Sequence, residues 1–401
     1  MVAVRVRTLD TRLSIMIETR QTLGILGGGQ LARMLVLAGA PLGVRFRIVD
    51  KVADACAGQL APLSTVGWDD VDKLEPFARE VGAATFDFEN VPAATAEWLA
   101  VRTRVAPNAW SLATAQDRVL EKTLFRECGL PTAEFADIAT RADLDDALAR
   151  IGAPAILKTR REGYDGKGQC RIKTLADAGA AWQALGAQAG ARGLILESFV
   201  PFDFEASVVA VRAADGEFRA WPVTRNWHVD GILSASLAPA VRGPTIDKAA
   251  FAHARAIAEQ LDYVGVFALE LFVKAGALLG NEMAPRVHNS GHWTIAGAVT
   301  SQFENHARAV LGMPLGDTSA RFPSCMLNWV GELPDRDKLL AVPGAHWHDY
   351  GKSPRPGRKV GHATICGDDA ATLVHRLQQV GQALDRNAQV QPVIDALTAA
   401  R

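Results

Sequence analysis

Several things are scarce in this chain of 401 residues. It has five cysteines, Cys56, Cys128, Cys170, Cys325 and Cys366, odd in number, far apart and never spaced Cys-x-x-Cys. That excludes a disulfide framework and a cysteine zinc site, and it fits a reducing, cytoplasmic compartment. There is no excess of either charge: 43 basic residues face 44 acidic ones, for a net charge of -1. Without a basic tract the chain is not a dedicated nucleic-acid binder, although a few local cations suffice for a small anion. No apolar run approaches the roughly 18 residues that span a bilayer, so no membrane partner is expected. The first 20 residues mix Arg, Asp and Glu and lack the apolar core of a secretory signal. They read as a disordered extension, as an upstream start ahead of Met16, or as a weak transit peptide. What is abundant is apolar residue, 49% of the chain, enough for two or three domains.

The order of elements predicts mixed α/β and α+β architecture. Thr22 to Leu26 reads as a strand, Gln30 to Leu35 opens a helix, and Val44 to Val49 is a second strand. The alternation continues through Thr85–Phe88 and the helix after Pro92, which makes a parallel, Rossmann-like sheet over 21–115. A helix is expected from Thr114 to Glu127, stopped by Gly129 and Pro131. The following piece, 116–320, is strand-rich and antiparallel in character: Ala155–Thr159, Cys170–Lys173, Leu194–Glu197, Ala206–Val211, Phe218–Pro222 and Val264–Val273, with a helix at 176–190. Residues 321–401 form a small C-terminal domain with short strands, a basic Pro/Gly segment and a final helix.

Gly27-x-Gly29-x-x-Ala32 lies between strand and helix, and Asp50 ends the second strand about 20 residues on, as in a dinucleotide-binding turn. The same turn can hold a single phosphate on its helix-terminal amides, or no ligand. Gln30 at the helix mouth favours the single phosphate.

The centre of the chain carries more. Lys158 ends a strand and is followed by Gly163-Tyr164-Asp165-Gly166-Lys167-Gly168-Gln169, a glycine-rich loop between two strands. Its amides can cover phosphates while Lys158 supplies charge. It is not a Walker loop; the only Gly-Lys-Ser, at 351–353, has His346 in place of the first glycine. Glu197 of Glu197-Ser198-Phe199-Val200 can accept from an adenine amino group or a ribose hydroxyl, and Glu205 from a ribose. Glu270 and Glu282 lie on strands joined at 274–277, and a three-residue loop at 275–277 would set them opposite one another. Facing carboxylates repel; a magnesium ion, which takes one or two carboxylates plus phosphate oxygens, removes the conflict. Asn281 can add an amide contact. Just beyond, Arg286, His288 and Asn289 can hold a small anion. His288 and His292 lack a third zinc ligand, and His346 and His348 read as surface or supporting groups.

Lys158, the 163–169 loop, Glu197, Glu270 and Asn281-Glu282 together resemble the ATP-grasp superfamily. Gly27–Leu31, Phe88–Pro92, Gly163–Gln169, Asn289–Trp293 and Arg355–His362 resemble, more narrowly, the N5-carboxyaminoimidazole ribonucleotide synthetases, in order and from about residue 22 to about 365. The resemblance implies an ATP-grasp fold behind a Rossmann-like pre-ATP-grasp domain and ATP-dependent carboxylation of aminoimidazole ribonucleotide by bicarbonate. It implies ATP contacts at Arg118, Lys158, 163–169, Glu197 to Val200, Glu205, His228 and Asn281-Glu282. Magnesium, replaceable by manganese, would lie on Glu270 and Glu282. The ribonucleotide would lie near Gly29, Gln30, Leu31, Glu89, Lys352, Arg355 and Arg358, its 5′-phosphate at the Gly27–Gln30 helix mouth and the basic segment. Arg286, His288 and Asn289 would serve the reacting intermediate, and Tyr164, Asp165 and Lys352 would steer protons. A homodimer is implied too. Asp87, where the family often has Glu, Glu162 before the loop and Arg225 depart from the pattern. Rivals are a formate-dependent glycinamide ribonucleotide transformylase, a biotin carboxylase, a nicotinamide dehydrogenase and a non-catalytic nucleotide sensor.

Overall fold

A computed structural model of the protein describes residues 21–163, 168–240 and 243–399. Strand Thr22–Leu26 is buried at all five positions, which is why it reads as a continuous apolar run rather than an alternating one. It lies between Arg45–Asp50 and Ala83–Phe86, with Leu63–Thr65 and Arg104–Val105 at the edges, and every pairing is parallel. The chain leaves Thr22–Leu26 toward one side of the sheet first and returns to build the other. The crevice of such an open sheet lies beyond the strand ends where that direction switches. Gly27 and Asp87 both sit there.

Two antiparallel sheets follow. The smaller orders its strands Phe135–Ile138, Leu194–Ser198, Ala155–Thr159 and Gln169–Ile172. The larger has nine strands, among them Phe204–Arg212, Thr224–Val229, Ile232–Ala238, Gly265–Lys274 and Ala277–Ala284. The strands Ser324–Val330, Ala345–Asp349 and Lys359–Cys366 extend that same sheet, because Ser324–Val330 pairs with Ile232–Ala238. Helices Ala370–Leu384 and Asn387–Ala399 cover its far end through Leu373, Leu377, Val390 and Val393.

Helix Gln302–Leu311 joins the parallel sheet to the large one. Its Phe303, Ala307 and Val310 share one core with Leu31, Leu35 and Phe46 on one side and Val266 and Ala268 on the other. His306 crosses the same seam. Its Nδ1 accepts the Val266 N–H at 3.0 Å, so its Nε2–H donates to Thr85 Oγ1 at 2.7 Å. Burial holds its imidazole neutral, with a pKa lowered to about 4.

Three expectations change here. The helix expected from Thr114 is two helices, Ala109–Ala115 and Arg118–Glu127, because Asp117 between them turns its carboxylate onto the Val119 and Leu120 amides as a cap. The hairpin Thr224–Val229/Ile232–Ala238 went unread, although Asp230-Gly231, with φ of 50° and 78°, is a strong signal for a two-residue turn. The loop carrying the two glutamates is also shorter than expected. Ala275-Gly276 makes a two-residue turn with φ of 49° and 80°, and Lys274 pairs with Ala277. A bulge beside Glu270 then restores the offset, so Glu270 still faces Glu282.

Candidate active site

The glycine turn is built from backbone and two carboxylates. Gly27 adopts φ 102°, open to glycine and strained for other residues, and its N–H donates to Val49 O. The Gly28 N–H donates to Asp50 Oδ2 at 2.6 Å, and the Gly29 N–H donates to Asp87 Oδ2. A side-chain carbon at Gly29 would lie 2.5 Å from that Asp87 oxygen. Two of the amides expected to receive a phosphate, those of Gly28 and Gly29, are therefore engaged by carboxylates. Asp87 is 8% exposed. Burial lifts its pKa to about 6 against the Gly29 amide, Arg286 and Lys352.

Of the residues expected around the ribonucleotide, Gln30 and Lys352 meet, the Lys352 Nζ donating to Gln30 Oε1. Gln59 Nε2, on Gly351 O at 3.3 Å, ties the same C-terminal segment to the parallel-sheet unit. Arg286 Nε donates to Glu89 Oε2 at 2.5 Å, and Gln116 fixes the Glu89 and Val91 carbonyls at 2.7 Å each. Leu31 points into the core. Arg358 folds back onto Ser353, and Arg355 is exposed on the same segment.

The expected ATP groups gather between the two antiparallel sheets. Lys158 Nζ donates to Glu197 Oε2 at 2.9 Å, and Gln169 pairs with Lys158 across the strands. Burial pushes Glu197 toward protonation, but Lys122 and Lys158 outweigh it and hold its pKa at about 2. The other Glu197 oxygen, Oε1, is buried without a hydrogen-bond partner among the described residues. Beyond it, Ser198 Oγ accepts the Glu134 N–H, the guanidinium of Arg171 lies 4.2 Å above the Phe199 ring, and Val200 continues the chain toward the large sheet. Glu205 Oε2 meets His228 Nδ1 at 2.7 Å. Burial opposes the charged imidazole of His228, yet Glu205 raises its pKa overall. Arg118 donates to Glu282 Oε2 at 2.8 Å and to the Gly163 carbonyl at 3.1 Å. Gly168, at φ 71°, turns the chain into Gln169–Ile172. Tyr164, Asp165, Gly166 and Lys167 lie outside the described residues.

Glu270 and Glu282 face each other in register, and each meets a nitrogen group from another element. His288 Nε2 lies 3.0 Å from Glu270 Oε1, and Arg118 holds Glu282. Burial disfavours the Glu270 carboxylate, but His288, His228 and Lys359 bring its pKa down to about 2. His288 Nδ1 accepts the Ser290 N–H at 3.3 Å and meets Ser290 Oγ at 2.9 Å, so the proton of the neutral ring sits on Nε2. Behind Ser290 a buried polar chain runs through Ser207 (2.6 Å) to Thr224 (2.7 Å) and Asn226 (3.0 Å). The amides of Asn289 and Asn328 pair with one another. His292 lies against Gln302 and the His362 ring, while His348 stacks on His362 at 4.3 Å.

Among the described residues no group of three or more His, Cys, Asp or Glu is arranged to hold a metal alone. Two facing carboxylates with exchangeable partners do fit a hard cation that completes its shell with phosphate and water oxygens. No described helix is long and apolar enough to cross a membrane. Sequence reasoning missed Glu121, Lys122, Asp87 and the Ser207–Ser290 chain. Arg118, Glu121, Lys122 and Phe125 share one face at i, i+3, i+4 and i+7, the spacing that could have marked it, and Glu121 and Lys122 are 2% and 1% exposed.

Family models match three stretches of the chain: a ribonucleotide synthetase preATP-grasp domain at residues 20–116, an ATP-grasp domain at 123–303, and a phosphoribosylaminoimidazole carboxylase C-terminal domain at 324–376. The N5-carboxyaminoimidazole ribonucleotide synthase of Pseudomonas aeruginosa is 49% identical over 358 residues, 89% of this chain and 98% of its own. The crystal structure of N5-carboxyaminoimidazole ribonucleotide synthetase from Thermus thermophilus superposes with a TM-score of 0.86 at 49% identity, covering 91% of this chain and 99% of that one. The Aspergillus clavatus enzyme, solved with ADP and 5-aminoimidazole ribonucleotide, gives 0.80 at 29% identity over 94% of this chain and 98% of its own. The chain belongs to the N5-carboxyaminoimidazole ribonucleotide synthase family of ATP-grasp enzymes.

Proposed function

We infer that the protein uses ATP to carboxylate the amine of 5-aminoimidazole ribonucleotide with bicarbonate, giving the N5-carboxy product, ADP and phosphate in purine biosynthesis. The observation that carries this reading is the in-register Glu270/Glu282 pair, with Arg118, Lys158 and Glu197 on its nucleotide side and Arg286 and His288 just beyond it.

Bicarbonate is a poor electrophile. Its oxygen attacks the γ-phosphorus of ATP, ADP leaves, and carboxyphosphate results. Such a transfer rests on positioning and on neutralising charge rather than on a protein nucleophile. Arg118 and Lys158 offset charge on the phosphates. A magnesium ion, with manganese able to replace it, would be held by Glu270 and Glu282 and would neutralise phosphate oxygens. Arg286 and the His288 Nε2–H hold the carboxyphosphate oxygens once ligands displace Glu89 and Glu270 from them. The exocyclic nitrogen of the ribonucleotide then bonds to the carboxyl carbon, directly or after carbon dioxide forms. The C–O bond to phosphate breaks, and the amine gives up a proton. Lys352, Arg355 and Arg358 bind the 5′-phosphate from the C-terminal segment, since the glycine-turn amides are engaged elsewhere. Tyr164 and Asp165 complete the proton path, and the 163–169 loop excludes water while carboxyphosphate survives. The working form is a cytoplasmic homodimer.

The test is ADP release by the purified protein with magnesium, adding the ribonucleotide and labelled bicarbonate separately and together. ADP release that requires the ribonucleotide, with matching label in an acid-labile product, is expected. Stimulation by glycinamide ribonucleotide and formate instead would move the activity to a transformylase on the same fold.

A further inference from the structure

Ser207 is a fully buried hydroxyl in the otherwise apolar middle of strand Phe204–Arg212. It stands in one row across the large sheet: Glu282 pairs with Glu270, Glu270 with Ser207, and Ser207 with Thr224. Residues paired across strands put their side chains on one face. The row therefore carries two carboxylates at one end and two hydroxyls at the other, and His288 meets both halves. Its Nε2 lies 3.0 Å from Glu270 Oε1, and its Nδ1 meets Ser290 Oγ, which Ser207 Oγ reaches at 2.6 Å.

The direction of every hydrogen bond in this chain follows from one group that cannot reverse. The Ser290 N–H can only donate, and it points at His288 Nδ1 at 3.3 Å. Nδ1 is therefore an acceptor, so the Ser290 hydroxyl 2.9 Å from it donates as well. With its own proton committed there, Ser290 Oγ accepts from Ser207 Oγ. Ser207 Oγ in turn accepts from the Asn226 amide at 3.0 Å and meets Thr224 Oγ1 at 2.7 Å, while the Asn226 carbonyl takes the Ser236 hydroxyl at 2.8 Å. The main chain of His288 is held separately: Gln302 Oε1 accepts its N–H at 2.9 Å, and Gln302 Nε2 donates to its carbonyl. The hydroxyl chain thus acts on the ring and not on the placement of the backbone.

We propose that Ser207 is a positioning residue for the carboxylation: through Ser290 it keeps the His288 proton on Nε2, and so commits this histidine to donate to the bicarbonate-derived anion rather than to take the proton of the amine. Hydroxyls that all donate the same way polarise one another along the chain. Without Ser207 the Ser290 hydroxyl loses its donor and can turn its proton away from Nδ1. The ring can then carry its proton on Nδ1 and face an anion with a lone pair. The inference rests on the carboxylation proposed above, in which His288 holds the intermediate.

Two measurements test it. The first is nitrogen NMR of the substrate-free enzyme carrying isotopically labelled histidine, at alkaline pH, with His288→Gln identifying the signal. The intact protein should show His288 protonated on Nε2, and Ser207→Ala should mix in the Nδ1 form. A wild-type ring protonated on Nδ1 would overturn the proposal. This readout needs no turnover, so it stands apart from any failure of the carboxylation reading. The second is steady-state kinetics. Ser207→Ala should raise KM for bicarbonate on the order of tenfold, comparable to removing the hydrogen-bond partner behind a metal-bound histidine. KM for ATP and kcat should move less, whereas a general packing defect would move all three. Ser290→Ala should do the same, and adding Ser207→Ala to it should raise KM no further, because coupled residues do not add. Ser207→Cys, of similar size with a weaker donor, should recover part of the loss. An unchanged KM for bicarbonate in Ser207→Ala, with a lower Tm, would make the hydroxyl purely structural. Should Ser207→Ala fail to fold, Ser207→Cys is judged by the same KM and the same ring signal.

Discussion

At the glycine turn, Asp50 and Asp87 accept backbone amides; at the hairpin, Glu270 and Glu282 meet the side chains of His288 and Arg118. All four are acids at the mouths of sheets; from sequence Asp50, Glu270 and Glu282 all read as ligand-binding, and Asp87 did not. The difference lies in what they hold. An amide is fixed by the chain, so an acid bonded to it closes the turn and removes a donor from any incoming anion. A histidine or arginine side chain can swing to a ligand, so an acid bonded to it is held ready and can be released to a cation. The fold thus contains one acidic pair used as structure and one kept exchangeable.

The sharpest way to break this contrast is to remove an acid from the hairpin. Glu282→Ala should lose about 10²-fold or more in turnover, comparable to losing a major electrostatic stabiliser. Near wild-type turnover, with an unchanged Tm, would remove the metal assignment from the pair.

One acid of each pair, Asp87 and Glu270, should also answer pH in opposite senses. Asp87 has a folded pKa of about 6, above its ordinary 3.8. The folded state therefore binds its proton more tightly, and the stabilisation that proton gives is complete below 3.8 and lost as pH rises through 6. Asp87→Asn, which keeps an acceptor for Gly29 without the charge, should raise stability near neutral pH by up to roughly 3 kcal/mol, with the gain vanishing near pH 4. Glu270 runs the other way. Its folded pKa of about 2 lies below its ordinary 4.5, so its contribution is present above 4.5 and lost as pH falls through 2. Glu270→Gln should destabilise the metal-free protein at neutral pH. Thermal unfolding from pH 2 to 8 tests both, and a neutral-pH loss in Asp87→Asn would contradict the reading of the turn.

A smaller effect is expected from crowding the turn itself. Gly29 has an ordinary φ of -76°, so Gly29→Ala strains no backbone; its new carbon would only press on Asp87. The expected cost is about 1–3 kcal/mol, the usual range for overpacking, and Asp87→Ala in the same chain should relieve much of it. Strict additivity in denaturant unfolding would show that the two do not touch.

How far the sequence could be read follows the same division. The parallel unit was legible because its central strands Thr22–Leu26 and Ala83–Phe86 are buried on both faces and its first turn is marked by glycine. The Glu270/Glu282 register was legible although the loop length was not: the two-residue turn shortens the hairpin by one residue and the bulge beside Glu270 adds it back. Long-range pairings left no local mark. Nothing near Asp87 in sequence says that its carboxylate meets an amide 58 residues away. Nothing near Lys122 says that its ammonium meets Asn281 of the large sheet and Glu197 of the small one.

The last test is an expected absence of binding. The spacing Gly27-x-Gly29-x-x-Ala32 with Asp50 is the reason to consider a nicotinamide dinucleotide. In such a site the turn amides face a pyrophosphate and the distant acid binds a ribose. Here Asp50 lies on the Gly28 amide instead of a sugar, and Asp87 covers the Gly29 amide. A pyrophosphate would have to displace two carboxylates and lie beside both. Titration with NAD should therefore give no saturable signal in the concentration range where ADP binds. Saturable binding of NAD that persists in Glu197→Gln would mean that the turn can open, and the distinction between a structural and an exchangeable acidic pair would then fail at Asp87.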